Sequence, residues 1–157
     1  MSTRPDTHDY FATLALIAST RGTCPRRKVG AVLVSADKRV ISTGYNGAPP
    51  KFQDCTEGGC VMVDGHCVNT IHAEENCLMR AREVGSALYS TDAPCISCLK
   101  AALSHNSQVV IYYLRDYVDT SREAFMLKHG LGARLIPMSF KNSSMFHKVA
   151  ESIGWGK

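Results

Sequence analysis

Residues 94–98 read P-C-I-S-C, and residues 72–77 read H-A-E-E-N-C. Two thiols three positions apart at a helix start, Cys95 and Cys98, share one face. In a first turn the dipole and the free amides also favour thiolate. Taken alone, the pair is equally a redox C-x-x-C or two core cysteines. His72 changes the balance, because it begins one helix while the thiols begin the next, with a single strand between them. In a β-α-β-α unit both helix starts lie at the same edge of the sheet, so the three side chains can converge. Three protein ligands leave the fourth zinc position open, the mark of a catalytic site. Glu74 is the candidate base. On a regular helix two residues turn about 200°, so Glu74 and His72 reach one point only if His72 sits at an irregular entry turn. Glu75 reads as a solvated helix residue and Cys77 as a core cysteine.

The elements that must hold these groups follow from periodicity and breakers. Tyr10, Leu14, Ile17 and Ala18 share a face, which predicts an amphipathic helix over 7–21. Residues 28–35 and 39–46 read as strands joined at Asp37 and Lys38, an antiparallel hairpin. The helix carrying His72 and Glu74 is expected over 71–84, stopped by Gly85. Strands are expected at 86–91, 108–114 and within 133–137. Helices are expected from Cys95 to about 104, with Pro94 at the first helical position, and over 120–129, ending at Gly130. An amphipathic tail closes the chain from 137. Strand–helix alternation argues for a layered α/β domain with parallel pairing in its second half.

At 157 residues the chain predicts one domain, 1–157. Its +4 charge admits anionic small molecules as well as nucleic acid. The apolar run at 10–18 has Asp6 and Asp9 before it, Arg21 after it and no small-residue cleavage pattern, so it is not read as a signal. No run reaches the length of a membrane span. The expected location is the cytoplasm. There, seven cysteines argue for metal or catalysis rather than a disulfide framework. Four remain after Cys95, Cys98 and Cys77 are set aside: Cys24, Cys55, Cys60 and Cys67. They could close a structural zinc site over the long loop 47–70. Asp64-Gly65 is a two-residue hairpin turn that sets Met62 opposite Cys67. Cys60 then shares their face and His66 points away, which leaves His66 as the substitute ligand.

H-x-E followed by P-C-x-x-C is the signature of zinc-dependent nucleobase deaminases. Three further stretches, TCPRRKVGAVLV (23–34), GYNGAP (44–49) and GGCVMVDGHCVNTIHAEEN (58–76), resemble the deoxycytidylate (dCMP) deaminases, especially the late-competence and phage branches. The resemblance runs from about residue 10 to 135. It implies a three-layer α/β/α sandwich with a mixed five-stranded sheet, a homohexamer, and hydrolysis of dCMP to dUMP for thymidylate synthesis. It also implies a catalytic zinc on His72, Cys95 and Cys98, and hydroxide attack on C4. Glu74 would carry protons from the water to the ring nitrogen and the departing ammonia. Phage members carry a second zinc. Asn46 would meet the nucleotide sugar, Arg26 or Lys28 the 5′-phosphate, and Tyr117 would lie near the substrate. Asn46 and Gly47 are also ordinary turn residues.

Regulated members bind dCTP or dTTP with Mg²⁺ near a glycine-rich continuation of GYNG. Here the chain continues Pro50-Lys51-Phe52, which sets that effector site in question. The competing readings are a deaminase of dCTP or of a modified dCMP, and a tRNA or purine deaminase. The second lacks support from a basic stripe. The non-catalytic option is a zinc-binding module with both metals closed.

Overall fold

A computed structural model describes residues 4–139 and 143–156. Positions 140–142 and 157 of the tail lie outside the described residues. The first helix, α1 (Thr7–Ser19), is capped by Asp6, whose side chain accepts from the His8 amide at 2.7 Å. The hairpin β1 (Gly30–Val34) and β2 (Val40–Tyr45) pairs antiparallel from Gly30↔Tyr45, with a bulge at Leu33/Val34. Lys38 takes the turn at φ 67°. Beyond the loop come α3 (Ala73–Met79), β5 (Ala87–Asp92), α4 (Ile96–His105), β6 (Val110–Arg115) and α5 (Thr120–His129). A 3₁₀ turn (Gly132–Arg134), β7 (Leu135–Pro137) and α6 (Ser144–Ser152) complete the order. The sheet runs β2-β1-β5-β6-β7. β1 is antiparallel to both neighbours, and β5, β6 and β7 are parallel, so the five-stranded sheet is mixed.

The side chains of β1 show why this sheet needs two covers. Ala31 and Leu33 enter one core with Leu88, Leu99 and Ile111, while Val32 and Val34 enter the other with Phe11, Leu16 and Tyr89. The period of two sends alternate residues to opposite faces, and both faces are apolar. Helices α1 and α6 cover one face. Helices α3, α4 and α5 cover the other. Each fully buried Val, Leu or Ile contributes about 1.5–3 kcal/mol. Tyr89 keeps its hydroxyl satisfied in this setting through His8 Nδ1 at 2.8 Å. Two glycines allow the closest approaches. A Cβ on Gly30 would lie 2.0 Å from the Ala15 carbonyl, and one on Gly44 would lie 2.3 Å from that of Ala73. Gly44 therefore seats α3, and with it His72 and Glu74, directly on β2.

Two helices that carry the site differ in their bounds from the sequence reading. α3 stops at Met79 with Arg80 as its cap, well before Gly85. Of the residues that follow, Ala81 still packs on the core, but Arg82, Glu83 and Val84 are exposed. The chain is drawn away instead by α4, where His105 Nε2 accepts from the Gly85 amide at 3.0 Å and Asn106 donates to the Gly85 carbonyl at 2.9 Å. α4 begins at Ile96, so Cys95 is the cap and Pro94 lies outside the helix. The loop 47–70 holds a four-residue helix α2 (Cys55–Gly58) and a minimal hairpin, β3 (Met62–Val63) and β4 (His66–Cys67). Its register is Met62↔Cys67, with Asp64 and Gly65 at φ 49° and 79°.

Candidate active site

His72 is the N-cap of α3 with extended backbone (φ −67°, ψ 153°), and Glu74 lies in the helix's first turn. The irregular entry turn demanded by the spacing is therefore present, and both side chains line one cavity of about 400 Å³. Cys95 and Cys98 meet His72 there: Nδ1 lies 3.5 Å from Cys95 Sγ and 3.4 Å from Cys98 Sγ. Donors held at about 2.0–2.3 Å by one tetrahedral zinc stand roughly 3.3–3.8 Å apart. Two thiols and an imidazole at these separations fit that ion and leave its fourth position to a small molecule. Cys98 is buried, Cys95 half-buried and His72 exposed, so the cluster opens toward the cavity.

Without metal, Cys95 alone of the three donors is held in its ligating form, so zinc would displace protons from His72 and Cys98. The hydrogen bond from Cys98, with His72 beside it, lowers Cys95 to about 4. The Cys95 thiolate in turn lifts His72 to about 9, and Cys98 is pushed up by the same neighbour. Glu74 is 4% exposed. Burial raises its carboxyl to about 7, against the opposing pull of its own amide and His72. Its described side-chain partner is the buried Ser90 hydroxyl, which donates to Oε1 at 3.4 Å. A carboxylate poised near neutrality in a cleft is suited to both taking and returning a proton.

Residues outside the motifs hold the thiol turn. Asp119, the cap of α5, accepts from the Arg122 amide at 3.0 Å and from the Ile96 amide at 2.8 Å. Arg122, 4% exposed, donates from Nη1 to the Pro94 carbonyl at 2.9 Å. Neither residue is marked by spacing in the sequence, because each reaches across from a later helix.

The remaining candidates separate. Asn46 is buried in the cavity wall. Its Oδ1 accepts from the Val29 amide at 2.9 Å and its Nδ2 donates to the Arg27 carbonyl at 2.7 Å. Its first role is thus to brace the chain entering β1. Tyr117 lines the same cavity and a wider neighbouring one of about 620 Å³. Arg26 reaches the cavity rim, with Nη1 directed at Met62 Sδ (3.1 Å) and the Gly65 carbonyl (3.4 Å). Lys28 is exposed and lines neither cavity, whereas Arg27, passed over in the sequence, does. On an irregular segment adjacent side chains diverge with no period to say which turns inward.

Of the four remaining cysteines, Cys55, Cys60 and Cys67 bring their sulfurs within 4.8 Å of one another, with Cys55 and Cys67 at 3.6 Å. Cys24 does not join that set. It sits buried between α1 and β1, close enough for its charge to bear on Cys60. The segment is tied down next door, where the Thr23 amide donates to the Asn46 carbonyl at 3.0 Å. His66 is exposed and lines both cavities rather than the thiol cluster.

Comparison with known proteins supports the same reading. The family described as the cytidine and deoxycytidylate deaminase zinc-binding region matches residues 5–114. ComE operon protein 2 of Bacillus subtilis is 39% identical over 115 residues, covering 70% of this chain and 60% of that protein. A deoxycytidylate deaminase of Mycobacterium phage D29 is 37% identical over 124 residues, covering 69% of this chain and 95% of that one. The chain spans less than half the length of two fungal relatives. The dCMP deaminase of cyanophage S-TIM5, solved with dCMP and dUMP, superposes with a TM-score of 0.69 at 28% identity, covering 87% of this chain and all of that one. With its mixed sheet and its His-Cys-Cys cluster, the chain belongs to the cytidine and deoxycytidylate deaminase zinc-binding family.

Proposed function

We propose that this chain hydrolyses dCMP to dUMP and ammonia. The observation that carries the reading is a fully buried carboxylate, Glu74, sharing one cavity with a His-Cys-Cys donor set. The names of the phage relatives supply the substrate. His72, Cys95 and Cys98 would hold zinc, which when bound polarises water and lowers its pKa. Glu74 accepts the water proton on its carboxylate and delivers it to the pyrimidine ring nitrogen. It then takes the remaining proton from the hydroxyl added at C4 and hands it to the departing amine, so that the C4 carbonyl forms, the C–N bond breaks and ammonia leaves. Ser90 orients the carboxylate, and the backbone clamp from Asp119 and Arg122 keeps the thiol turn in place.

The same reading includes a second zinc on Cys55, Cys60 and Cys67. Cys24 is the preferred fourth ligand and His66 the substitute. It also includes assembly as a homohexamer, and the cytoplasm as the setting in which thiol ligands stay reduced. Among the described residues, no helix is long and apolar enough to cross a membrane. Control by dCTP or dTTP with Mg²⁺ would involve the loop where Lys51 adopts φ 73°, a conformation glycine favours.

The test is ammonia release from dCMP by zinc-loaded protein, beside CMP, dCTP and deoxycytidine, with and without added dCTP and Mg²⁺. Glu74→Gln should lower kcat about 10²–10⁴-fold with zinc content unchanged. Equal turnover by Glu74→Gln, or no turnover of any cytosine nucleotide at full zinc occupancy, would sink the proposal. Metal analysis and light scattering address the second zinc and the hexamer.

A further inference from the structure

Asp92 ends β5, three residues before Cys95, and is 5% exposed. A charged side chain buried at the end of this strand needs partners, and it has two. Its Oδ2 takes the Nε of Arg27. Its Oδ1 takes Nε of Arg115 at 2.9 Å and Nη2 at 2.8 Å. One carboxylate against two guanidinium groups leaves the cluster with a net positive charge, set in the wall of the cavity that holds Glu74.

The two arginines are used differently. Arg115 is committed to the protein: its Nη2 also donates to the Lys28 carbonyl at 3.3 Å, and its guanidinium lies 5.0 Å from the Trp155 ring centroid. Arg27 gives only Nε to the protein, and its two Nη groups have no acceptor among the described residues. Its side chain is 42% exposed and lines the cavity. Its carbonyl is held by Asn46 Nδ2 at 2.7 Å, and its guanidinium carbon stands 5.9 Å from the centroid of the Tyr117 ring. Backbone, Nε and one face of the group are thus all held, and a pair of charged donors is left over.

We propose that Asp92 is a positioning residue that sets the cavity's preference for phosphorylated ligands. By gripping Arg27 at Nε it aims the two Nη groups as a fork for the phosphate of a nucleoside monophosphate. A planar guanidinium matches two phosphate oxygens at once, which a lysine cannot do. The unphosphorylated nucleoside leaves that fork unmet. Arg26 contributes differently, tying the tip of the β3–β4 hairpin through the Gly65 carbonyl. The inference rests on the deoxycytidylate reading only for the choice of base.

The experiment is calorimetric binding of dUMP and of deoxyuridine to the zinc-loaded full chain and its variants. Arg27→Gln should weaken dUMP about 10–100-fold and leave deoxyuridine within about twofold, while Arg26→Gln keeps the wild-type ratio of the two affinities. Asp92→Asn should reduce that ratio about 3–10-fold, with Arg27 still present. If Asp92→Asn does not fold, Asp92→Glu carries the same test, because one added methylene displaces the fork. An unchanged ratio in Arg27→Gln overturns the proposal, as does equal loss of both ligands in the Asp92 variant, which marks a merely structural role. Failure to deaminate dCMP together with an Arg27-dependent preference for dUMP would remove the proposed reaction and leave this inference standing. Equal kcat/KM for dCMP and deoxycytidine would do the reverse.

Discussion

The two thiol clusters are built by different means. His72, Cys95 and Cys98 sit at the entries of α3 and α4, which pack on buried strands through Gly44, Cys77, Leu99 and Ala102. Their separations are set by apolar burial and by the Asp119 and Arg122 clamp, all of which exist without metal. Cys55 and Cys67 come from a four-residue helix and a hairpin of two-residue strands, and Cys60 from the link between them. Val61, Met62 and Val63 around them are about half exposed, at 52%, 45% and 51%, so little burial holds this region. Burial raises the Cys55 and Cys60 thiols, Cys60 to about 12, while Cys67 falls to about 7 through the hydrogen bonds of its neighbours. The lesson is that the first cluster is shaped for a metal by its scaffold. On the proposed reading, the second would take its shape from ligation.

The sharpest way to break the comparison is to remove one ligand from each cluster. His72→Ala should abolish deamination, by at least about 10³-fold, while shifting the urea midpoint little. A large loss of stability would mean that the scaffold does not shape the first cluster. Cys60→Ser should do the opposite: one zinc lost by metal analysis, rapid limited proteolysis within 47–70, and activity reduced only about tenfold. Proteolysis at the wild-type rate would show that the loop holds itself.

A second expectation concerns Glu74 in the zinc-free protein. Its folded value of about 7 stands above the ordinary 4.5, so the folded state keeps a proton that the unfolded chain releases. That stability is complete below pH 4.5 and is lost as pH rises through 7. Glu74→Gln removes the penalty, so it should exceed wild type by roughly 2–3 kcal/mol at pH 8. The two should match at pH 4.5. Urea unfolding at both values checks this, and equal stability at pH 8 would show that Glu74 is not desolvated without metal.

The smallest expected effect tests the clamp. Asp119→Ala removes the α5 cap and the Ile96 bond, costing about 1–2 kcal/mol in thermal unfolding. Because Ile96 neighbours Cys95, zinc should also dissociate faster. A stability loss with unchanged zinc off-rate would separate the cap from the metal cluster.

How much of this was legible beforehand varies with the range of the interaction. The α5 helix with its Gly130 stop (φ 62°) and the Asp64-Gly65 turn were readable, because caps and turns are decided by a few adjacent residues. The end of α3 was misplaced by its own pattern. Residues 80–84 carry good helix formers, but the chain is pulled toward His105 and Asn106, twenty residues on. Arg26 and Lys28 were chosen over Arg27 for a similar reason. Only Asp92, sixty-five positions away, says which of the three is gripped by a buried carboxylate. The one available signal was the acid itself, a charge closing a buried apolar strand.

The sequence by itself determined the donor types, their order and their spacing, and hence the family and the metal chemistry, because C-x-x-C and H-x-E act through local helix-start geometry. Tertiary structure alone decided that Cys55, Cys60 and Cys67 converge, and that Asn46 braces rather than only lines the cavity. It also placed one carboxylate between two arginines. Those outcomes depend on which surfaces the sheet and its helices bring together, and pairwise contacts between distant segments leave no period in the chain.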